Sequence, residues 1–190
     1  MKIALISVAP PYRGGISKHT YLLVKQLKVN HSVEVVNYYR QYPNIFFPGR
    51  SQLLDYKSDF FEFNNRIIDS INPISWFKTG NLLSGKKLDL VIFRFWNPFF
   101  VPALYTIASI IKKKAPQTKL ISLCDNIIPH EKVPLGALLT KYFFKKLDGH
   151  LVQSSQTQNE LIKLINLPKY EKRFHPLYTS FSCKVDKLNA

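Results

Sequence analysis

Asp125, His130 and Glu131 lie within one run of seven residues, Asp125-Asn126-Ile127-Ile128-Pro129-His130-Glu131. These side-chain types can hold sugar hydroxyls or pass protons near neutral pH. A metal centre would need further ligands, and no recognisable spacing elsewhere in the chain supplies them. Cys124, directly before the run, reads as a small buried apolar residue rather than a nucleophile. A second candidate is Arg13-Gly14-Gly15-Ile16-Ser17. Two glycines let the backbone turn tightly and approach a ligand. The helix that starts there offers free N–H groups and a positive dipole end to an anion. The run is not G-x-G-x-x-G, which disfavours a nicotinamide or flavin cofactor. Taken alone it reads equally well as a turn without a ligand. A third is Arg94-Phe95-Trp96-Asn97-Pro98. Arg94 inside a buried-type strand either pairs with an internal carboxylate or faces a cleft. Asn97 either meets a ligand or caps the next helix. In Ser154-Ser155-Gln156-Thr157-Gln158, Ser155 with Gln158 fits the capping box S-x-x-Q, leaving Ser154 free to face the cleft.

Each candidate follows a run that reads as a buried strand. Ile3–Val8, Ser32–Tyr38, Leu90–Phe95, Lys119–Cys124 and Gly149–Gln153 are short, mostly apolar runs of the kind that fill a parallel sheet. Between them the apolar period changes to the helical one. Ile16, Thr20, Leu23, Val24 and Leu27 share one helical face. Phe99–Lys114 reads as a helix with Pro102 in its first turn, and Leu135–Leu147 and Ser155–Leu164 as two more. Arg173–Tyr178 reads as a last short strand. The segment from Tyr39 to Lys87 is irregular and aromatic, with one or two helices expected, such as Ser51–Ile71. Strand and helix alternate, so the expected fold is α/β with a mainly parallel sheet covered by helices on both faces. In such sheets ligands bind beyond the carboxyl ends of the strands, which is where the candidates fall.

The chain has 190 residues, 46% of them hydrophobic, enough for one buried core and too few for two full-sized α/β domains. Lys and Arg number 27 against 12 Asp and Glu, a net charge of +15. Such an excess attracts anions: nucleic acid, anionic headgroups or phosphorylated small molecules. No nucleic-acid module or readout helix accompanies it, so no specific nucleic acid is expected. Lys141, Lys145 and Lys146 interleave with Tyr142, Phe143 and Phe144, a pattern that fits either a solvated face or an anionic membrane surface. Two cysteines are too few for a disulfide framework. Pro10, Pro11 and Arg13 stand where a signal cleavage site would be, and the apolar stretch Pro98–Ile111 falls short of the ~20 residues of a spanning helix. The expected location is cytoplasmic, peripheral at the inner face of the cell membrane.

Pro11-Tyr12-Arg13-Gly14-Gly15-Ile16, after an N-terminal Met1-Lys2-Ile3-Ala4-Leu5-Ile6-Ser7 strand, resembles the start of family-4 glycosyltransferases of the GT-B fold. Asp125 to Lys132, the run Leu139–Lys146 with Asp148-Gly149, Val152-Gln153-Ser154 and His175-Pro176-Leu177-Tyr178 are similar to a bacterial subgroup of that family. The resemblance covers Met1 to about Tyr178. It implies a Rossmann-like three-layer α/β/α domain over residues 1–178, with 179–190 as a tail or the start of an interdomain linker.

It further implies that this domain binds a glycan or lipid-linked acceptor, to which a sugar passes from a nucleotide-sugar co-substrate. No other cofactor and no metal are implied. By the resemblance, Asp125, His130 and Glu131 would lie beside the transferred sugar. Gly14, Gly15, Arg94, Asn97, Asn126 and Ser154 would bind substrate. Many family members have His where this chain has Asp125. The family holds its nucleotide in a second domain with a Glu-x7-Glu motif, which does not occur in this sequence. The expectation is therefore half of an enzyme, its partner a separate C-terminal half. The alternative is an inactive remnant that binds a membrane or a partner.

Overall fold

The computed structural model describes residues 1–43, 52–53, 63, 65–128 and 135–174. Seven strands form a single all-parallel sheet: β1 Lys2–Ile6, β2 Ser32–Arg40, β3 Arg66–Asp69, β4 Leu90–Phe95, β5 Lys119–Cys124, β6 Gly149–Val152 and β7 Tyr170–Lys172, in the order β3-β2-β1-β4-β5-β6-β7. Five α-helices are described: α1 Gly15–Leu27, α2 Pro73–Ser84, α3 Val101–Lys114, α4 Gly136–Phe144 and α5 Ser155–Leu164. The fold is thus a Rossmann-like three-layer α/β/α arrangement.

The strands read as nearly continuous apolar runs because both faces are covered. On one face Ile3, Leu5, Val35, Ile92 and Leu123 meet Val24 of α1 and Phe63. On the other, Ala4, Ile6, Val36, Val91, Phe93 and Leu120 meet Leu83 of α2, Leu104 and Ile107 of α3, Phe143 and Phe144 of α4 and Leu161 of α5. Burying one such Leu, Ile or Phe side chain contributes about 1.5–3 kcal/mol. Gly80 lets α2 come close to α3: a Cβ there would stand 2.9 Å from Ile110.

Most elements fall within a residue or two of their sequence-based bounds, and the departures have local causes. The helix expected over Ser51–Ile71 is not seen there among the described residues. Residues 66–69 instead form the edge strand β3, which suits the adjacent β-branched Ile67 and Ile68. The helix that follows begins later because Asn72 caps it, accepting from the Ile74 N–H, and Pro73 occupies its first position. Arg173 and Phe174, where a strand is expected to begin, lie in none, and among the described residues the last strand is Tyr170–Lys172. Its polar residues gave no apolar run to read, and as an edge strand it needs none. Residues 175–178 lie outside the described residues. Pro98–Phe100 is a separate 3-10 turn, after which α3 carries Pro102 in its first turn, as expected. Of the aromatics Tyr142, Phe143 and Phe144, the two Phe are core and only Tyr142 is exposed.

Candidate functional site

Chain order puts the topological switch point between β1 and β4, the place where open α/β sheets bind ligands. Ser7 to Gly15 leaves the carboxyl end of β1 on one side of it. Trp96 and Asn97 leave β4 on the other.

The β1 loop is fixed from below by Asn37, buried within the carboxyl half of β2. Its amide oxygen accepts from the Ala9 and Tyr38 N–H groups at 3.2 and 2.8 Å, and its amide nitrogen donates to the Ala9 carbonyl at 3.0 Å. Pro10-Pro11 is a cis peptide within this loop. The Arg13 Nε donates to the Leu53 carbonyl at 2.8 Å. The loop ends at Gly14, the N-cap of α1, with φ 110° and ψ 169°. That conformation is essentially restricted to glycine. Among the described residues nothing lies within 4 Å of a Cβ built on Gly14 or Gly15, so they leave the space above this backbone open. Gly14 has no side chain to cap the helix, and α1 has no acidic residue in its first turn. No acid or side-chain cap of α1 itself therefore offsets the positive end that faces that space.

Arg94 is only 1% exposed, and its charge is met from two other elements. Nε and Nη2 donate to Oδ2 and Oδ1 of Asp125, both at 2.7 Å. Nη1 donates to the Ile16 carbonyl at 3.3 Å and to the Thr20 hydroxyl at 3.2 Å, both on α1. Thr20 also lies 2.7 Å from the Ser7 hydroxyl. One guanidinium thus ties β4, the loop after β5 and the first turns of α1 together. Bidentate pairing of this kind is among the strongest polar contacts available inside a protein. In this arrangement Asp125 is the counter-ion of Arg94, and both of its oxygens are engaged.

The backbone carbonyl of Asp125 accepts from the Thr157 hydroxyl at 3.3 Å. The Thr157 N–H donates to Ser154 Oγ at 3.0 Å. Ser154, rather than Ser155, is therefore the N-cap of α5, and the capping box read at Ser155 and Gln158 gives way to this simple cap. The offset has a simple origin: β6 ends at Val152, and Ser154 holds the extended conformation that a cap requires. Asn97 likewise caps the 3-10 turn, accepting from the Phe99 N–H at 2.9 Å. Asn126 is exposed beside Asp125. His130 and Glu131 lie outside the described residues.

Several residues that shape this end of the sheet escaped the sequence reading. Glu160 of α5 accepts from the Ile127 and Ile128 N–H groups at 3.2 and 3.1 Å and so clamps the loop after β5. Thr20, Ser7 and Asn37 are buried polar residues within apolar runs. Their polarity was the signal available, since buried polar groups are kept where they have partners. Among the described residues, the buried side-chain atoms without a hydrogen-bond partner include the Ser17 hydroxyl in the first turn of α1 and the Gln153 amide oxygen after β6. Cys124 is buried, and desolvation pushes its thiol up to about 12 against the opposing Ser122 hydrogen bond, so it is not a thiolate at neutral pH.

A cavity of about 610 Å³ lies at the opposite, amino end of β5 and β6, lined in part by Lys119, Phe144, Asp148, His150 and Lys169. His150 donates or accepts at 2.8 Å with the Ser122 hydroxyl, and burial lowers its imidazole to about 4. That cavity is remote from the glycine turn and from the polar groups that converge at the carboxyl end of the sheet. Among the described residues no group of three or more His, Cys, Asp or Glu is placed to hold a metal ion, and no helix is long and apolar enough to cross a membrane.

Fold and geometry together define a parallel α/β domain whose α1 begins in an open glycine turn at the carboxyl end of the sheet. No protein-family model matches the chain, and no curated protein matches it. Among solved structures it is similar to an active-site mutant of a family two carbohydrate esterase from Clostridium thermocellum in complex with celluohexase, at 13% identity and a TM-score of 0.37. That likeness covers 92% of this chain, which spans 57% of the esterase chain. A likeness this slight carries no argument about what the chain does.

Proposed function

We propose that this chain is the acceptor-binding domain of a GT-B-type glycosyltransferase, whose nucleotide-sugar site is supplied by a second domain or chain. The reading rests on the resemblance of the Gly14-Gly15 and Asp125–Lys132 segments. The observation that carries it furthest is the open backbone at Gly14 and Gly15, placed at the switch point against the N-terminus of α1, which has no acid or side-chain cap of its own. In the reaction, the bond from the anomeric carbon to the donor's diphosphate breaks and a bond to an acceptor hydroxyl forms. The acceptor's proton is lost, and negative charge builds on the departing nucleotide. Backbone N–H groups and a helix N-terminus stabilise such charge without reorganising. Arg94 and Asp125 hold the first turns of α1 against the sheet so that those N–H groups stay aimed.

The test uses the purified chain with a glycan or lipid-linked acceptor and, separately, with sugar nucleotides. Saturable acceptor binding that is lost in Gly15→Val is the expected result, with no turnover of donor by the chain alone. Turnover of a sugar nucleotide by the chain alone overturns the division of labour. Acceptor binding unchanged in Gly15→Val overturns the placement of the site.

A further inference from the structure

The cavity at the amino end of β5 and β6 has no part in the site at the other end of the sheet. Two connections and one strand start form its walls. Residues 145–148 lead from α4 into β6, residues 165–169 lead from α5 into β7, and Lys119 opens β5. Main-chain bonds pin both connections. The Lys145 N–H donates to the Lys141 carbonyl at 3.1 Å and the Asp148 N–H to the Leu120 carbonyl at 2.7 Å. The Ile165 N–H donates to the Leu161 carbonyl at 2.9 Å, and the Lys169 carbonyl accepts from the His150 N–H at 2.9 Å. Part of the lining is apolar: Phe144 and Ile165 are buried, and the His150 ring centre lies 4.9 Å from that of Phe144.

The charge of the lining is one-sided. Lys119, Lys145 and Lys169 are all exposed, and among the described residues none of them has a side-chain hydrogen bond or ion pair. The one carboxylate in the lining, Asp148, is already engaged. Its Oδ2 accepts from Lys112 Nζ at 2.6 Å and from the Leu120 N–H at 2.7 Å. Desolvation pushes this carboxyl up, but those two bonds and the charges of Lys112 and Lys119 hold it below the ordinary carboxylate range. Three ammonium groups are therefore left around one concave space without a counter-ion of their own. Clefts lined by one sign of charge concentrate the opposite ion. The rim adds a second feature. Leu167 has φ 50° and is 89% exposed, so a bulky side chain is held in the left-handed region and buries little in return. Strain of this kind gathers at ligand clamps.

We propose that this cavity binds a small soluble phosphate ester, its phosphate held by Lys119, Lys145 and Lys169 and its organic part lying against Phe144, Ile165 and Pro168. The class follows from charge and shape. A carboxylate brings one negative charge, whereas a phosphate monoester brings nearly two and three acceptor oxygens, which matches three ammonium groups. The volume of about 610 Å³ admits an organic body beside the phosphate and falls in the usual range of small-molecule sites. The inference does not depend on any glycosyltransferase activity, because the cavity lies at the opposite end of the sheet from the glycine turn.

The experiment titrates the full chain with phenyl phosphate, inorganic phosphate and benzoate at one ionic strength, read by calorimetry. Saturable binding of phenyl phosphate is expected, tighter than that of either other probe. Lys119→Gln with Lys169→Gln weakens it about tenfold or more, as the loss of charge-assisted hydrogen bonds requires. Lys25→Gln with Lys78→Gln removes the same two charges from α1 and α2, neither of which lines the cavity, and changes it by less than about twofold. Equal losses in the two double variants would make binding a property of net charge and overturn the proposal. So would benzoate binding as tightly as phenyl phosphate, unchanged binding in the Lys119/Lys169 variant, or no saturable binding by the wild type. Should that variant fail to fold, the wild type supplies a second measurement. The ring-proton resonances of His150 shift on adding phenyl phosphate if the cavity fills, and resonances that stay put refute the placement.

Discussion

Arg94 and Asp125 meet as two forks across the carboxyl ends of β4 and β5, each of two guanidinium nitrogens 2.7 Å from its own carboxylate oxygen. The arginine is almost wholly enclosed, so its charge has no water to fall back on. Asp125→Ala leaves that charge unpaired and costs about 3–5 kcal/mol in urea unfolding. Asp125→Asn keeps one acceptor and costs less. The double variant Arg94→Met/Asp125→Leu recovers most of the loss, because an apolar pair of similar volume replaces an ion pair that was expensive to bury. A loss below about 1 kcal/mol in Asp125→Ala would mean that Asp125 is not what neutralises Arg94.

Gly14 and Gly15 are adjacent and respond in opposite ways to substitution. Gly14 holds a positive φ of 110°. Gly14→Ala therefore forces strain of about 1–3 kcal/mol, read as a lower thermal midpoint, even though there is room for its Cβ. Gly15 is the first residue of α1 in ordinary helical backbone with open space around it. Gly15→Ala leaves stability unchanged or raises it by up to about 1 kcal/mol. Gly15→Val preserves the fold and fills the cleft. A Gly15→Val protein that is as destabilised as Gly14→Ala would show the open space to be illusory.

The sheet was legible because buried parallel strands announce themselves as apolar runs. Leu90–Phe95 and Lys119–Cys124 lie where the sequence places them. β7 was not, because an edge strand such as Tyr-Glu-Lys carries no periodicity. Arg94 was legible as a residue in need of a partner, but not which partner: Asp125 is distant in sequence, and only the register of β4 on β5, with Phe95 opposite Cys124, brings the two together. The clamp from Glu160 to the 127–128 backbone spans 33 and 32 residues of chain and uses main-chain donors, which leave no trace in residue types. Ser154 and Ser155 are chemically alike, so the choice of cap falls to backbone geometry that the strand end imposes.

Glu160 offers a test of how far the site depends on that clamp. Glu160→Gln keeps the length but replaces the carboxylate with a neutral amide, weakening two charge-assisted bonds of about 1.5–3 kcal/mol each. Glu160→Ala removes them. Amide hydrogen exchange at Ile127 and Ile128 rises in both variants, more in Glu160→Ala, while exchange in β1 and β4 stays at the wild-type level. Acceptor binding weakens in the same order if the loop after β5 lines the site. Unchanged exchange at Ile127 and Ile128 would show that the loop is held by other contacts.

His150 gives the fold a pH dependence whose sign is fixed. Burial lowers its pKa to about 4 from the ordinary 6.5, so the folded chain keeps the imidazole neutral where the unfolded chain protonates it. Between these values the unfolded state binds more protons, and stability falls as pH drops. The loss begins near pH 6.5 and reaches roughly 3 kcal/mol by pH 4; above pH 6.5 this residue contributes no slope. His150→Gln retains a polar partner for Ser122 without a titrating group. Its urea midpoint changes less than that of the wild type between pH 7 and pH 5, where the carboxylates are still largely ionised. Parallel slopes in the two proteins across that interval would show that another group, and not the imidazole against Phe144, sets the acid limb.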